Sequence, residues 1–130
     1  MYGFLGWLNV LLLAAMTAPY WLRWINKRTF QFKGGLYGKT IQYLRKIHKP
    51  LGFAILIIGL IHGYLALGGF RLHTGSVLLV TLVLVALFGL LFHFRKDKKF
   101  FKWHKRIVVI AGFALAVHLL FPNAIYYLLN

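Results

Sequence analysis

The chain has 130 residues, 61% of them hydrophobic, and carries sixteen Lys and Arg against one acidic residue, for a formal net charge of +15. With no cysteine it has no thiolate ligand for an iron–sulfur cluster, no attachment point for a c-type haem and no thiol nucleophile. Asp97, in a basic stretch, is the lone side-chain carboxylate, so paired acids for acid–base catalysis and a hard-cation cage are excluded.

Four long stretches without charge match the roughly 20 residues that cross a bilayer. They predict an all-α, membrane-spanning four-helix bundle, one integral membrane domain over residues 1–130, with helices at about 3–25, 48–69, 74–95 and 103–122. The first span, YGFLGWLNVLLLAAMTAPYWLRW, has Pro19 near its inner end and aromatic residues at both ends, as membrane interfaces favour. No basic residue precedes it and no A-x-A site follows, so it is expected to be a retained helix rather than a cleaved signal. Residues 26–38 are glycine-rich and read as a loop. KTIQYLRKIH mixes apolar and basic positions at helical spacing and suits the membrane surface. Pro50 then either opens the second membrane helix, where a missing N–H costs nothing, or kinks a continuous one. The second span stops at LGGF. The third, TGSVLLVTLVLVALFGLLFHF, carries two glycines, RKDKKFFK reads as a loop, and the fourth ends near Pro122 before a short tail, NAIYYLLN.

The stretches free of charge are about 3–22, 50–70, 74–94 and 107–122, and apart from Arg71 every Lys and Arg lies between the first and second of these or between the third and fourth. The positive-inside rule then places both basic loops in the cytoplasm and both termini outside, in a bacterial or archaeal cytoplasmic membrane. Basic loops beside anionic lipid are the ordinary result of topology, so the charge is not read as nucleic-acid binding. It also offers a docking face for an acidic cytoplasmic protein.

HKPLGFAILIIGLIH (residues 48–62) and HKRIVVIAGFALAVH (residues 104–118) share one pattern, a His-Lys start and a second histidine fourteen positions on. Fourteen residues turn a helix through about 1400°, some 40° short of four full turns, and advance about 21 Å. Each pair therefore lies on nearly one face of its helix. The second and fourth helices both run outward, so His48 matches His104 in depth and His62 matches His118. Two facing imidazoles at one level suit a haem iron ligated from both sides, and ligation satisfies polar rings that lipid would penalise. Two such haems, one per leaflet, would conduct an electron across the membrane. Gly75 and Gly89 on the antiparallel third helix are also fourteen apart and fall at the same two levels. A residue without a side chain admits a flat macrocycle, although glycine serves plain helix contact too. Gly52, Gly59, Gly63 and Gly112 fit the second use.

This pattern resembles the haem-bearing core of cytochrome b in quinol–cytochrome c reductases and the transmembrane domains of ferric reductases and NADPH oxidases. The resemblance covers roughly residues 40–120 and rests on spacing and topology. It implies two haem B groups, an inner one with His48 and His104 as axial ligands and an outer one with His62 and His118. No quinol-site motif of the reductases is evident, and these residues include no flavin or nicotinamide domain. Lys49 and Lys105 beside the inner histidines are candidate propionate partners, and their membrane topology explains them equally well. Arg71 is a candidate propionate partner for the outer haem. His73 and His93, about 200° apart around their helix, fit interfacial positions or a quinone or proton-transfer site.

The expected function is a dihaem B-type cytochrome subunit of an oxidoreductase complex. It would carry electrons between membrane quinone and a partner redox protein, an acidic flavoprotein or ferredoxin-like carrier. Two alternatives are the transmembrane core of an outward-facing ferric or oxygen reductase, and a haem-free transporter or assembly scaffold.

Overall fold

A computed structural model describes residues 1–130, the whole chain, and is all-α without strands. Its elements are α1 (Tyr2–Ile25), a π-helical turn (Asn26–Phe30), α2 (Gly35–Leu67), α3 (Thr74–Arg95), α4 (Lys98–Leu120) and α5 (Ala124–Leu129). Each of α1 to α4 is long and apolar enough to cross a membrane. At 1.5 Å per residue α3 spans about 33 Å, against a hydrocarbon core of about 30 Å. Large apolar side chains point away from the protein along these helices; Val109 and Phe113 are 73% and 72% exposed. In water that surface would be a heavy penalty, and lipid is the solvent that removes it. The chain is built as an integral membrane protein.

The helix limits differ from expectation in three places. α2 begins at Gly35, so KTIQYLRKIH and the second span form one helix with Pro50 inside it. Proline forfeits one bond to the carbonyl four residues back, whereas leaving the helix here would strip several backbone groups of partners. α4 begins at Lys98, because Asp97 is a helix cap rather than a loop residue; its carboxylate accepts from the Lys99 amide at 2.8 Å. The stretch expected to be loop at 26–38 contains the π-helical turn, clasped by Asn26, whose Oδ1 accepts from the Phe32 amide at 2.8 Å. α5 lies within the tail that follows Pro122.

The chain resolves into two compact units, Met1–Ile58 and Gly59–Asn130. In the first, Met16, Ala18, Ile41 and Ile55 are buried. Gly52 of α2 faces α1, where an added Cβ would stand 3.7 Å from Met16 Sδ. Asn9 of α1 reaches across to donate from Nδ2 to the Ile55 carbonyl at 3.3 Å.

In the second unit α3 and α4 form an antiparallel hairpin with Val85, Ile107 and Ala111 at its centre, flanked by Leu82, Phe88 and Val108. Lys96 turns the chain with φ 54°, and the two-residue connection forces the helices to lie side by side. Farther along, Phe88 packs near Phe100 and Trp103, each at 6.3 Å between ring centres. The end of α2 belongs to this unit too. It stops at Gly68 and Gly69, with φ of 64° and 152°, a backbone that a Cβ would strain.

Candidate functional site

The antiparallel register of α3 and α4 sets two of the histidines against the two spaced glycines. A Cβ on Gly89 would lie 3.1 Å from both Cε1 and Nδ1 of His104. A Cβ on Gly75 would lie 3.1 Å from Cε1 of His118 and 3.5 Å from its Nδ1. The 3.1 Å approach at each glycine is tighter than ordinary carbon contact, so a hydrogen in place of a methyl is what lets each ring lie against α3. The shared interval of fourteen residues on α3 and on α4 is thus one structural fact. What each glycine admits is an imidazole.

That close approach brings each ring within reach of a hydrogen-bond acceptor. His104 Nδ1 stands 2.8 Å from the carbonyl oxygen of Val85, one turn before Gly89. A carbonyl can accept and cannot donate, so Nδ1 carries the proton. In a neutral imidazole the lone pair is then on Nε2. The first unit repeats the arrangement with different partners. His48 Nδ1 lies 3.2 Å from the Met16 carbonyl, and the same donor logic assigns its proton to Nδ1. Met16 sits just past Ala15, whose carbonyl has no helical donor because Pro19 lacks an N–H, so the ladder of α1 is interrupted beside this contact.

His118 is held differently. Its Nδ1 is 3.0 Å from Thr74 Oγ1. Thr74 Oγ1 in turn donates to the Pro122 carbonyl at 2.7 Å. A hydroxyl has one proton to give, so towards His118 it is an acceptor and Nδ1 is the donor. Thr74 is the one buried polar residue of the protein, and both its hydrogen-bonding functions are satisfied.

Two further imidazoles flank His118. The ring centre of His62, on the last turns of α2, is 6.4 Å away with the planes at 80°. That of His73 is 5.9 Å away at 86°. His73 caps α3, and its Nδ1 accepts from the Gly75 amide at 3.3 Å. Its neutral ring therefore has the proton on Nε2, the reverse of His48, His104 and His118. The pair His62 and His118 is separated as two ligands of one metal ion would be. Two bonds of about 2.0 Å, plus about 1.1 Å from each ring centre to its nitrogen, give roughly 6.2 Å. No three His, Cys, Asp or Glu side chains converge as around a bare metal ion, whereas a porphyrin supplies four ligands of its own and asks the protein for two. Donation from the ring nitrogen that does not ligate, to a carbonyl or another acceptor, is the usual support of a metal-bound histidine. The donor set therefore fits haem iron.

The charged candidates are peripheral. Lys49 is exposed, and Lys105 is exposed with Nζ 4.9 Å from the centre of the Phe101 ring. Arg71 is exposed in the turn before α3, and its carbonyl accepts from the Ser76 hydroxyl. His93 is exposed near the end of α3, its ring 5.3 Å from that of Phe94. Gly63 and Gly112 have nothing within 4 Å of an added Cβ. Sequence reasoning missed Thr74, although a hydroxyl residue directly before Gly75 was a usable signal. It missed the Met16 and Val85 carbonyls as well, and backbone groups leave no trace in residue identity. No protein-family model, curated protein or solved structure matches the chain.

Proposed function

We propose that the chain is a dihaem B-type cytochrome subunit, an electron carrier within a membrane oxidoreductase complex. His62 and His118 would ligate one haem, and His48 and His104 the other. The observation that carries this reading is the 6.4 Å separation of the His62 and His118 ring centres, their planes at 80°, with Nδ1 of His118 committed to Thr74 so that Nε2 holds the lone pair. For the second pair the support comes from each unit separately. His48 and His104 both donate from Nδ1 to a helix carbonyl, the tautomer that ligates through Nε2. Haem iron held by such rings would supply reversible one-electron chemistry, and with an imidazole from each side it would leave no site for oxygen.

The residues around the rings then have defined tasks. Gly75 and Gly89 let His118 and His104 lie back against α3, and the acceptors beneath orient them. The outward-facing apolar side chains keep water from the span. By the positive-inside rule the basic ends face the cytoplasm of a bacterial or archaeal membrane, the termini and the His62–His118 level lying toward the exterior. The basic face suits an acidic flavoprotein or ferredoxin-like donor or acceptor, and membrane quinone is the partner proposed for the other end. Lys49, Lys105 and Arg71 are proposed to meet haem propionates.

The test is a purification in mild detergent with oxidised and reduced visible spectra and a haem count. Two low-spin B-type haems per chain are expected, and His118→Ala should leave one. A colourless protein that takes up no added haem would sink the reading.

A further inference from the structure

The three imidazoles with assigned Nδ1 donation do not rest on equivalent partners. His48 and His104 donate to backbone carbonyls, which no side-chain substitution removes. His118 donates to a side-chain hydroxyl that the chain could have omitted. Thr74 is also placed where its choice matters. It opens α3 directly after the His73 cap, next to the glycine that admits His118, and its own proton is taken by the carbonyl of Pro122, just past α4. Were that carbonyl elsewhere, the hydroxyl could turn its proton toward His118 and force the opposite tautomer. The Pro122 carbonyl therefore acts on the ring through Thr74.

We propose that Thr74 is a positioning residue that locks His118 with its proton on Nδ1 and its Nε2 lone pair available to iron. This rests on the dihaem reading for its role in electron transfer, while the lock itself is a property of the protein without haem. Two consequences follow. A valine at 74 keeps the shape and removes the acceptor, so Nδ1–H has no strong partner and the ring loses its preference between tautomers. An imidazole deprived of this acceptor is also a poorer electron donor to a metal, so the ferric state is less favoured.

The lock is read first on haem-free protein labelled with nitrogen-15 histidine in lipid nanodiscs. The His118 signals are assigned by their disappearance in His118→Gln. Wild type and Thr74→Ser should show a protonated Nδ1 and an unprotonated Nε2, and Thr74→Val a shift toward Nε2 protonation. A wild-type ring protonated on Nε2, or an unchanged ring in Thr74→Val, overturns the proposal. On haem-loaded protein, Thr74→Val should weaken the outer haem about 10- to 100-fold and raise its midpoint potential. Thr74→Ser should restore both, and the inner haem should not move. Equal changes at both haems would mean general loosening and overturn the positioning role. If the nitrogen signals behave as expected but wild type takes up no haem, the lock stands and the dihaem reading falls.

Discussion

His104 and Gly89 show how a missing methyl group can set the position of a ring. An alanine at 89 would put Cβ 3.1 Å from both Cε1 and Nδ1 of His104, so the ring must retreat and stretch its 2.8 Å bond to Val85. On the proposed dihaem function, the expected result for Gly89→Ala is weakened binding of the inner haem, by about 10-fold or more, with the outer haem retained. Gly75→Ala should do the reverse through His118. Haem-resolved spectra of the two variants check this, and equal loss of both haems in either one would contradict it. The interval between these glycines was legible in the sequence because it matches the interval between histidines. Which atoms would fill the space was not. The sequence pattern allowed either a macrocycle or plain helix contact, and the side chain against each glycine is an imidazole, since α3 and α4 approach closely enough for a histidine to cover the neighbouring backbone.

At the scale of elements, the spans were readable from apolar length and their ends were not. The charged run RKDKKFFK looked like loop because hydropathy marks where lipid ends, and a helix can continue into the aqueous boundary. Asp97 decides the start of α4 by giving the Lys99 amide an acceptor. Asp97→Ala should cost about 1 kcal/mol of stability, measured by reversible unfolding in mixed micelles, and Asp97→Asn should recover most of it. A loss within error for alanine would mean that α4 is held by its packing on α3 alone. α2 shows the same rule at larger size. In the sequence Pro50 fits either the start of the membrane helix or a point within a continuous one, and the helix passes through it, because one absent N–H is a smaller defect than the several a break would create.

For the molecule as a whole, the distribution of charge bears on orientation. With no native cysteine, single cysteines report sidedness without background. A membrane-impermeant maleimide applied to intact cells should label Arg71→Cys and spare Lys33→Cys and Lys98→Cys until the membrane is opened. Labelling at all three, or the opposite pattern, would refute the proposed topology. The all-α class, the four spans and the matched levels of His62, Gly75 and His118 followed from the sequence, since helical pitch and bilayer thickness are fixed lengths against which residues can be counted. What the tertiary structure alone decided is the protonation pattern. His73 and His118 have the same side chain and stand 5.9 Å apart, yet one ring accepts at Nδ1 and the other donates. A tautomer is set by the atom across from the nitrogen, and residue order does not say which carbonyl, amide or hydroxyl the folded chain will put there.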